Sequence, residues 1–273
     1  MRQFVADCDP DSKGCISVTG RKYHYLSSVL RAERGDMLYV RLDDGTLQPM
    51  TVADINTSEK KIVLTVAGGR VEASATKAAP VEDKPRTQLW LFQFIAKPPK
   101  MDLIIRQAVE CGVSFIVPVE GTFCQKGNVE SARKKASPDD TRWHRIITEA
   151  REQSGSPVDT KVLPCVGVDE ACRLWSERNA DGLSFGVTLY EQSERTRLLH
   201  QAVKEYAASA GLPERLALAV GAEGGIAPEE VEKLSAAGFV PVHFDTNILR
   251  CETAAIYGLA ALQCVVMESD IWL

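Results

Sequence analysis

The feature that most constrains this chain is an alternation between short apolar runs and longer helical stretches, which continues from residue 88 to residue 267. The apolar runs have the length of β-strands, and the stretches between them have a helical period. The predicted strands span residues 89–95, 115–119, 160–163, 183–189, 216–220 and 240–244, and the predicted helices span residues 101–111, 137–153, 169–178, 194–209, 228–237 and 251–267. Because crossover helices join parallel strands, residues 88–273 are predicted to form an α/β domain with a parallel sheet covered on both faces.

Two of these helices carry further signals. The helix predicted at residue 137 has Ser137 as its N-cap, Pro138 at its first position and acidic residues in its first turn. The last helix is apolar almost all the way round, whereas a surface helix has a polar face. It is therefore predicted to be buried in the core or in a subunit interface, and a dimer is favoured.

The first 73 residues have a different pattern, in which short β-rich segments are separated by turns. Predicted strands span residues 16–18, 37–42, 47–55 and 61–67, with a hairpin signal at Asp44-Gly45 and one helix at residues 23–32. This pattern indicates a small β-barrel-like domain. Residues 74–87 are rich in alanine, proline and charge, lack a period, and are predicted to be a linker.

The net charge of −5 is distributed unevenly along the chain. Residues 74–161 have 14 basic and 11 acidic side chains, a net charge of +3, whereas residues 162–273 have 8 basic and 16 acidic ones, a net charge of −8. The clustered basic side chains in the middle are Lys126, Arg133, Lys134, Lys135, Arg142, Arg145 and Arg151. They indicate a polyanion-binding surface or, as the alternative, an ordinary solvated helix face.

Several classes of protein are excluded or disfavoured. The longest nearly apolar run, residues 254–267, is shorter than the ~18–20 residues of a membrane span. The first residues lack the apolar region of a secretory signal. The eight cysteines include no C-x-x-C pair, which disfavours a zinc or thioredoxin-type site and favours reduced thiols. The expected protein is soluble and cytoplasmic.

Residues 221–225 (GAEGG) follow a predicted strand and precede a helix that Pro228 opens. In a parallel sheet, ligands bind beyond the carboxyl ends of the strands, and glycines let a backbone approach a ligand closely. Amide groups near a helix start can also donate hydrogen bonds to a ligand. The alternative is a tight turn without a ligand. Because the segment matches neither G-x-G-x-x-G nor G-x-x-x-x-G-K-[ST], a nicotinamide or ATP site is disfavoured.

Residues 245–250 (DTNILR) form a second unusual loop, between the last predicted strand and the last helix. Ile248 and Leu249 are apolar residues in a polar loop, so they either line a flat, adenine-sized slot or close the core beneath the loop. Arg250 and Glu252 flank the start of the helix, where an ordinary charge pair is one interpretation. Cys251 between them is a candidate low-pKa nucleophile, although no histidine is obviously paired with it.

Two C-terminal segments, VGAEGGIAPEEVEKLSAAGF and ILRCETAAIYGLAAL, resemble the signature of the RsmE family of ribosomal RNA small-subunit methyltransferases, whose usual forms are GPEGG and ILRxETA. Further segments resemble the family in the same order along the chain. They are YHYLSSVLRAERGD at residues 23–36, Ala96-Lys97 with Met101-Asp102, QAVECGV at residues 107–113, Arg142-Trp143 and EAREQS at residues 149–154. The resemblance covers nearly the whole chain.

The resemblance implies a PUA-like N-terminal barrel at residues 1–73 and a C-terminal SPOUT domain, with a deep trefoil knot, at residues 88–273. It also implies a homodimer without a metal that uses S-adenosyl-L-methionine to methylate N3 of a uridine in 16S rRNA near the decoding centre. Carried over by position, the cofactor-binding residues are Leu189, Gly221, Ala222, Glu223, Gly224, Gly225, Phe244, Asp245, Ile248, Leu249, Arg250 and Thr253. Contacts to RNA are expected from Arg2, Arg21, Lys22, His24, Arg31, Lys97, Lys126 and Arg142.

The chain departs from the family pattern at five positions. Ala222 stands where proline is usual, and Cys251 where threonine is frequent, which argues against a catalytic thiol. Asp245 replaces a usual glycine, so it needs ordinary backbone angles or the left-handed conformation that aspartate tolerates. Asn247 replaces a usual arginine, and Ser156 stands where an arginine commonly follows the Gln-Ser pair. The loss of these two cations predicts weaker contact with RNA.

Uridine N3 becomes a nucleophile only when it loses its proton and the resulting charge is stabilised. Arg250 is predicted to stabilise that charge, because a guanidinium stays charged and can donate two hydrogen bonds to the edge of the base. Glu223 either takes the proton, which requires burial, or bonds loop amides. Two alternatives from other classes are a non-catalytic RNA-binding or assembly factor and a small-molecule enzyme that uses the same pocket.

Overall fold

The computed structural model describes residues 3–42, 44–67, 87–137, 139–192 and 195–267, and it divides into two compact units. The first unit comprises Met1–Glu82 and Arg151–Pro157, and the second comprises Asp83–Ala150 and Val158–Leu273. The predicted linker at residues 74–87 lies outside the described residues, apart from Thr87. The division differs from the predicted one at Arg151–Pro157, because the sequence pattern assigned that segment to the second domain.

The first unit is built on a five-stranded sheet. Its elements are β1 (Phe4–Val5), β2 (Cys15–Val18), α1 (Gly20–His24), β3 (Met37–Arg41), β4 (Leu47–Asn56) and β5 (Lys61–Val66). The strand order is β1-β3-β4-β5-β2, in which β1 and β3 are parallel and the other neighbours are antiparallel. Val40, Met50, Ile62 and Leu64 are fully buried in one core. The four predicted strands are confirmed, and β1 is additional.

The helix predicted at residues 23–32 is wrong in its start and in its form. The helix α1 already begins at Gly20, and one wide, π-type turn (Tyr25–Val29) follows it. The amide of Ala32 donates to the carbonyl of Leu26 at 2.9 Å, and Arg31 has a positive φ of 52°. A residue in the left-handed conformation ends a helix. Apolar residues at helical spacing therefore continue past Val29, where the helical turns end, and for this reason the predicted helix extended to residue 32.

Buried polar contacts explain why Arg151–Pro157 belongs to the first unit. The side-chain amide of Gln3 donates to the carbonyl oxygen of Arg151 at 3.0 Å and to that of Ser156 at 2.9 Å. Nε of Arg41 donates in turn to Oε1 of Gln3 at 2.9 Å. All four residues are buried, so these bonds are shielded from water. Ser156, a departure from the family pattern, thus occupies a buried position in the first unit.

The second unit contains an eight-stranded sheet whose paired strands all run parallel. Its strands are β6 (Gln88–Phe94), β7 (Phe115–Glu120), β8 (Lys161–Val162), β9 (Val166–Gly167), β10 (Ser184–Leu189), β11 (Arg197–Leu198), β12 (Arg215–Val220) and β13 (Phe239–His243). The order is β11-β13-β10-β12-β6-β7-β8, and β9 also pairs with β7. The strand β13 therefore lies beside β10, although it follows β12 in the chain.

Helices cover both faces of this sheet, as the sequence predicts. They are α2 (Pro98–Glu110), α3 (Lys126–Lys135), α4 (Thr141–Ser154), α5 (Val168–Arg178), α6 (Leu199–Ala210), α7 (Pro228–Ala236) and α8 (Cys251–Met267). Buried residues of α2, α3, α4, α6 and α8 share one apolar core, whereas those of α5 and α7 share the other. Because every central strand is covered on both faces, Leu91 and its neighbour Phe92 are both fully buried. The predicted α/β architecture is confirmed.

Two helix predictions in this unit are corrected, and one further helix was not predicted. The helix α4 begins at Thr141, so Ser137 is not its N-cap; the carboxylate of Asp140 instead accepts the amide of Arg142 at 2.7 Å. Pro138 lies outside the described residues. The helix predicted from residue 194 begins at Leu199, because Arg197–Leu198 pairs as a strand with β13. The sequence analysis did not assign α3 as a helix, since its buried residues are only Val129 and Ala132.

The helix α8 is apolar on two sides but is not wholly buried in this chain. Ala255, Leu259, Leu262 and Val266 lie in the core. A second stripe at helical spacing is exposed, and it consists of Thr253, Tyr257, Ala260 and Cys264. Among the described residues, no helix is long and apolar enough to cross a bilayer.

Candidate functional site

The parallel sheet brings the two unusual loops of the sequence to the same edge. The β12–α7 connection contains residues 221–225, here called the glycine loop, and the β13–α8 connection contains residues 244–250, here called the arginine loop. Both leave the carboxyl ends of their strands, as do the connections after β6, β7 and β10. In open α/β sheets this edge is where ligands bind.

The glycine loop is folded so tightly that its two ends leave no space for a side chain. A Cβ atom on Gly221 would lie 2.7 Å from the carbonyl carbon of Gly225. The amide of Gly225 donates to the carbonyl of Ala222 at 3.0 Å, and Gly225 has a φ of +79°. These contacts require glycine at both ends of the loop. The loop is therefore a preformed backbone frame.

Buried polar atoms lie directly beneath this frame. The side-chain amide of Gln93, at the end of β6, donates to the carbonyls of Val220 and Gly221 at 3.3 and 3.2 Å. Its Oε1 is buried and has no hydrogen-bond partner in the described part of the chain. The same is true of Oγ1 of Thr188 and the hydroxyl of Tyr190 near the end of β10. Unpaired buried polar atoms are uncommon, and a bound water or another group can supply the partner.

Charged side chains connect the glycine loop to the first turn of α8, directly after the arginine loop, through one residue that was not predicted from the sequence. Nζ of Lys100, in the first turn of α2, lies 2.9 Å from Oε2 of Glu252 and 3.6 Å from Oε1 of Glu223. It also donates to Sγ of Cys251 at 3.7 Å. We call these four residues the Lys100 cluster. A lysine three residues after Lys97, following two prolines that open a helix, was the signal available in the sequence.

The electrostatics of the Lys100 cluster keep its lysine and Glu252 charged and its thiol neutral. The hydrogen bond to Glu252 raises the pKa of Lys100. Burial opposes ionisation of Glu252, but the hydrogen bonds from Lys100, Cys251 and a backbone amide, together with the charge of Lys100, outweigh it and hold the pKa of Glu252 below its usual range. Burial, together with the hydrogen bond to Glu252, raises the pKa of Cys251 to about 11. A thiol with this pKa is not a thiolate near neutral pH, which argues against Cys251 as a nucleophile.

Glu223 is held at its position by two donors. Its Oε1 accepts the backbone amide of Lys97 at 3.1 Å and lies within ion-pair distance of Lys100. The residue is exposed rather than buried. Of the two roles predicted for Glu223, this geometry corresponds to the bonding of loop amides.

A second residue missed by the sequence analysis is Glu230, which is 6% exposed. Its Oε1 accepts the amide and the hydroxyl of Thr122 at 2.7 and 3.0 Å, and its Oε2 accepts the amide of Ala227 at 3.0 Å. Glu230 therefore joins the connection after β7 to the start of α7. In that connection, Cβ of Phe123 lies 2.9 Å from the position of a Cβ on Gly224.

The arginine loop is much less tightly packed. Phe244 is half-buried, with its ring edge-to-face against Tyr257 at 4.8 Å. Asp245, Ile248 and Arg250 are exposed, and Ile248 keeps 89% of its surface in solvent. Of the two alternatives for Ile248, closing the core is therefore excluded, whereas Leu249 is half-buried.

Three further predicted positions complete this edge. Leu189, at the end of β10, packs against Gly258 of α8, where a Cβ would lie 2.9 Å from its Cδ1. Thr253 is exposed in the first turn of α8. Asp245 has ordinary backbone angles, because Arg31 and Lys60 are the described non-glycine residues with a positive φ. The departure from glycine at this position thus causes no backbone strain.

In the second unit, the residues predicted to contact RNA differ in whether their side chains already have a partner within the protein. Lys97 and Lys126 are exposed. Nε and Nη2 of Arg142 instead donate to Oδ2 of Asp102 at 2.9 and 2.6 Å, and the indole of Trp143 donates to Oδ1 at 3.1 Å. Burial opposes ionisation of Asp102, but the hydrogen bonds from Arg142 and Trp143, together with the charges of Lys135 and Arg142, outweigh it and lower the pKa of Asp102. Arg142 therefore has a structural contact as well as an exposed surface.

In the first unit, the candidate cations also differ from one another. Arg21, His24 and Arg31 are exposed. Lys22 is half-buried, and its Nζ donates to the carbonyl of Val5 at 2.6 Å and pairs with Asp7. Arg2 lies outside the described residues. In the described part of the chain, no group of three or more His, Cys, Asp or Glu residues could hold a metal ion.

Comparison with known proteins gives a consistent result. A model of the RNA methyltransferase domain family matches residues 82–263. The chain is 26% identical over 270 residues to ribosomal RNA small subunit methyltransferase E 2 of Borreliella burgdorferi, covering 98% of this chain and 99% of that protein. It is 24% identical to ribosomal RNA small subunit methyltransferase E of Bacillus subtilis over 247 residues, which are 90% and 89% of the two chains.

Solved structures share the fold over the same extent. The chain is similar to ribosomal RNA small subunit methyltransferase E from Neisseria gonorrhoeae bound to S-adenosyl methionine, with a TM-score of 0.74 and 22% identity over 97% of this chain and 98% of that one. It is also similar to a methyltransferase from Legionella pneumophila in complex with the bound cofactor SAM, with a TM-score of 0.72 and 23% identity over 97% and 98% of the two chains.

Proposed function

Because the chain belongs to the RNA methyltransferase family, we propose that it transfers a methyl group from S-adenosyl-L-methionine to N3 of a specific uridine in 16S rRNA. The family model covers residues 82–263, and the full-length relatives are named ribosomal RNA small subunit methyltransferase E. The resemblance to the RsmE family in the C-terminal segments is thereby confirmed. The enzyme acts on the small ribosomal subunit in the cytoplasm.

The single observation that carries the proposal is the preformed glycine loop beside the arginine loop at the ligand-binding edge of the sheet. A Cβ on Gly221 would fill the space that the loop backbone occupies, and buried polar atoms of Gln93 and Tyr190 beneath this edge lack partners in the described chain. These features fit a polar ligand held by backbone groups. The residues proposed to hold the cofactor are Leu189, Gly221, Ala222, Glu223, Gly224, Gly225, Phe244, Asp245, Ile248, Leu249, Arg250 and Thr253.

When bound, S-adenosyl-L-methionine supplies a methyl group that its sulfonium already activates. The protein's main contribution is therefore to align N3 of the uridine with that methyl group. Arg250 is exposed at the entrance to α8, where its guanidinium is free to reach the edge of a base. It stabilises the negative charge that develops beside N3 when the proton leaves, by donating to a carbonyl of the base.

Glu223 acts in this proposal as a positioning residue. Its carboxylate is bonded to the amide of Lys97 and lies 3.6 Å from Lys100, so it holds the glycine loop to the start of α2. The N3 proton leaves to water at this exposed edge. No metal takes part in the proposed reaction.

The proposed assembly is a homodimer that holds RNA with basic residues of both units. The exposed stripe of α8, with Tyr257 and Ala260, is an apolar surface suited to a second copy. Phosphate contacts are supplied by Arg2, Arg21, His24, Arg31, Lys97 and Lys126. Lys22 and Arg142 contribute less to phosphate binding, because each already bonds to another group of the protein. Sedimentation of the whole chain tests the dimer, and a monomer at micromolar concentration would exclude it.

The finer fold is also part of the proposal. The five-stranded sheet of the first unit supports a PUA-like barrel, and the second unit is proposed to be a SPOUT domain with a trefoil knot. The strand β10 lies between β13 and its chain neighbour β12, and this order supports a crossing of the chain near the two loops.

Transfer of labelled methyl groups tests the function. Small ribosomal subunits from cells that lack this protein are incubated with it and labelled S-adenosyl-L-methionine, and the modified base is mapped. Label on N3 of one uridine is the expected result. RNA binding without label would instead favour a non-catalytic factor, which the Asp245 and Asn247 departures keep as an alternative. Cofactor binding without transfer to rRNA would favour a small-molecule enzyme.

A further inference from the structure

We propose that Phe123 is a stacking platform for the target uridine once this base has left its helix. The inference rests on the proposed function, because the base that stacks on Phe123 is the substrate of that reaction. Phe123 lies in the connection between β7 and α3, at the same edge of the sheet as the glycine loop.

The position of Phe123 relative to the glycine loop is fixed by close contacts. Its Cβ and Cγ lie 2.9 and 3.4 Å from the position of a Cβ on Gly224, so only glycine allows this approach. The preceding residue, Thr122, is bonded through its amide and hydroxyl to the buried carboxylate of Glu230. The side chain therefore starts from a rigid base and lies against the proposed cofactor loop.

The exposure of this aromatic side chain is unusual in the molecule. Among the described phenylalanine, tyrosine and tryptophan residues, only Phe123 and Tyr257 are exposed, with 48% and 44% of their surfaces in solvent. The ring of Tyr257 packs edge-to-face on Phe244. Phe123 is thus the exposed aromatic residue that contacts the glycine loop.

The chemistry of the proposed reaction favours such a platform. N3 lies on the pairing edge of uridine, so the base must be unpaired and turned out of its stack before a methyl group can reach it. An aromatic side chain replaces the lost stacking and holds the plane of the base. Lys126, three residues further on, is exposed and can contact a flanking phosphate. One aromatic ring and one cation then hold a base and its backbone together.

The test compares two substitutions of Phe123 in the whole chain. Phe123→Leu keeps an apolar side chain without a ring, and Phe123→Trp keeps a ring. For methyl transfer to small subunits, Phe123→Leu is expected to lower kcat/KM about tenfold or more, whereas Phe123→Trp stays within about threefold of the original protein. Calorimetric affinity for S-adenosylhomocysteine should be unchanged in both. Leu212→Ala, an exposed apolar residue at the opposite edge of the sheet, is the matched control.

A salt titration separates stacking from charge. With a single-stranded oligouridine, Phe123→Leu should weaken binding equally at all salt concentrations, whereas Lys126→Gln should reduce the slope of log K against log salt by about 0.7. Unchanged kcat/KM in Phe123→Leu would overturn the inference, as would an equal loss in Phe123→Trp or a loss of S-adenosylhomocysteine affinity. If the original protein transfers no methyl group to rRNA, the proposed function itself fails, and the inference fails with it.

Discussion

The glycine loop and the arginine loop leave the same edge of one sheet, but they are built in opposite ways. In the glycine loop, a Cβ on Gly221 would collide with the backbone of Gly225 at 2.7 Å, and Glu223 is anchored to the amide of Lys97. In the arginine loop, Ile248 and Arg250 are exposed to solvent. Rigid backbone is present before any ligand binds, whereas the exposed side chains remain free to meet one.

This difference suggests that the two loops have separate roles, one in binding the cofactor and the other in binding RNA. A preformed frame loses little conformational entropy on binding, which suits a small cofactor that must be held in one orientation. Exposed side chains can adjust to a large and irregular substrate such as folded RNA. The Lys100 cluster connects the glycine loop to the first turn of α8, which directly follows the arginine loop. The predictions below test whether the loops can be perturbed separately.

The largest effect is expected from Gly221→Ala in the glycine loop. The added methyl group has no space beside Gly225, so the frame must shift. We expect affinity for S-adenosylhomocysteine to fall at least about 100-fold by calorimetry. Gly127→Ala, where a Cβ meets nothing within 4 Å, is the matched control and should bind normally. Normal cofactor affinity in Gly221→Ala would show that the loop is not the frame proposed here.

The next effect is expected from Arg250→Ala in the arginine loop. Loss of one donor to a developing negative charge lowers turnover by about 100-fold to 1,000-fold. Affinity for S-adenosylhomocysteine should change less than about threefold, because the glycine loop is intact. Arg250→Lys should recover only part of the turnover, since a lysine cannot donate two parallel hydrogen bonds. Turnover within twofold of the original would exclude the proposed role of Arg250.

A smaller effect is expected from Lys100→Met, which removes the connection between the glycine loop and the first turn of α8 that follows the arginine loop. We expect about tenfold weaker cofactor binding and a Tm lower by about 3 °C at pH 7. Lys100→Arg keeps the charge and should restore most of both quantities. If Lys100→Met binds the cofactor as tightly as the original, the two loops are independent.

The pH dependence of the Tm difference follows from the shifted pKa values of the pair. The lowered pKa of Glu252 adds stability above about pH 4.3, the unfolded value, and this stability is lost as the pH falls through the folded pKa. The raised pKa of Lys100 adds stability below about pH 10.4, which is lost as the pH rises through its folded pKa. The Tm difference between the original and Lys100→Met should therefore be constant from about pH 6 to pH 9 and shrink towards pH 3. A difference that grows on acidification would contradict this assignment.

The smallest effect is expected from Cys251→Ser. Burial raises the pKa of this thiol to about 11, so the thiol is neutral near pH 7. Its S–H group donates a hydrogen bond to Oε2 of Glu252 at 3.2 Å. Serine can make the same hydrogen bond, and turnover should stay within about twofold. A loss of turnover of 100-fold or more, with normal S-adenosylhomocysteine affinity, would instead indicate a nucleophilic thiol.

The sequence predicted the second unit well because its strands are buried on both faces. Such strands are continuous apolar runs, and all six predicted ones are present, with β12 at Arg215–Val220 and β13 at Phe239–His243 among them. The helix α3 was missed because only Val129 and Ala132 are buried on it, too few to give a period. Short strands such as β11 were missed because a strand of two residues is too short to show an alternation of apolar and polar side chains.

The candidate site was only partly predictable, for a different reason. The glycine loop and Arg250 were identified from local residue types and from the family resemblance. The Lys100 cluster joins residues more than 120 positions apart, and the contact of Phe123 with Gly224 spans about 100. No local pattern records which distant residues will meet. The hydrogen bonds from Gln3 to Arg151 and Ser156, which hold residues 151–157 in the first unit, also join residues that are distant in the sequence.

Hydrogen–deuterium exchange with and without S-adenosylhomocysteine tests the central claim most directly, because it reports on both loops in the unmodified protein. The account predicts slower exchange in residues 221–225 and in residues 244–250, with a larger change in the more exposed arginine loop. The connections at the amino ends of the strands, including Leu212, should exchange at unchanged rates. Protection confined to another part of the chain, or no binding at all, would contradict the assignment of this edge as the cofactor site.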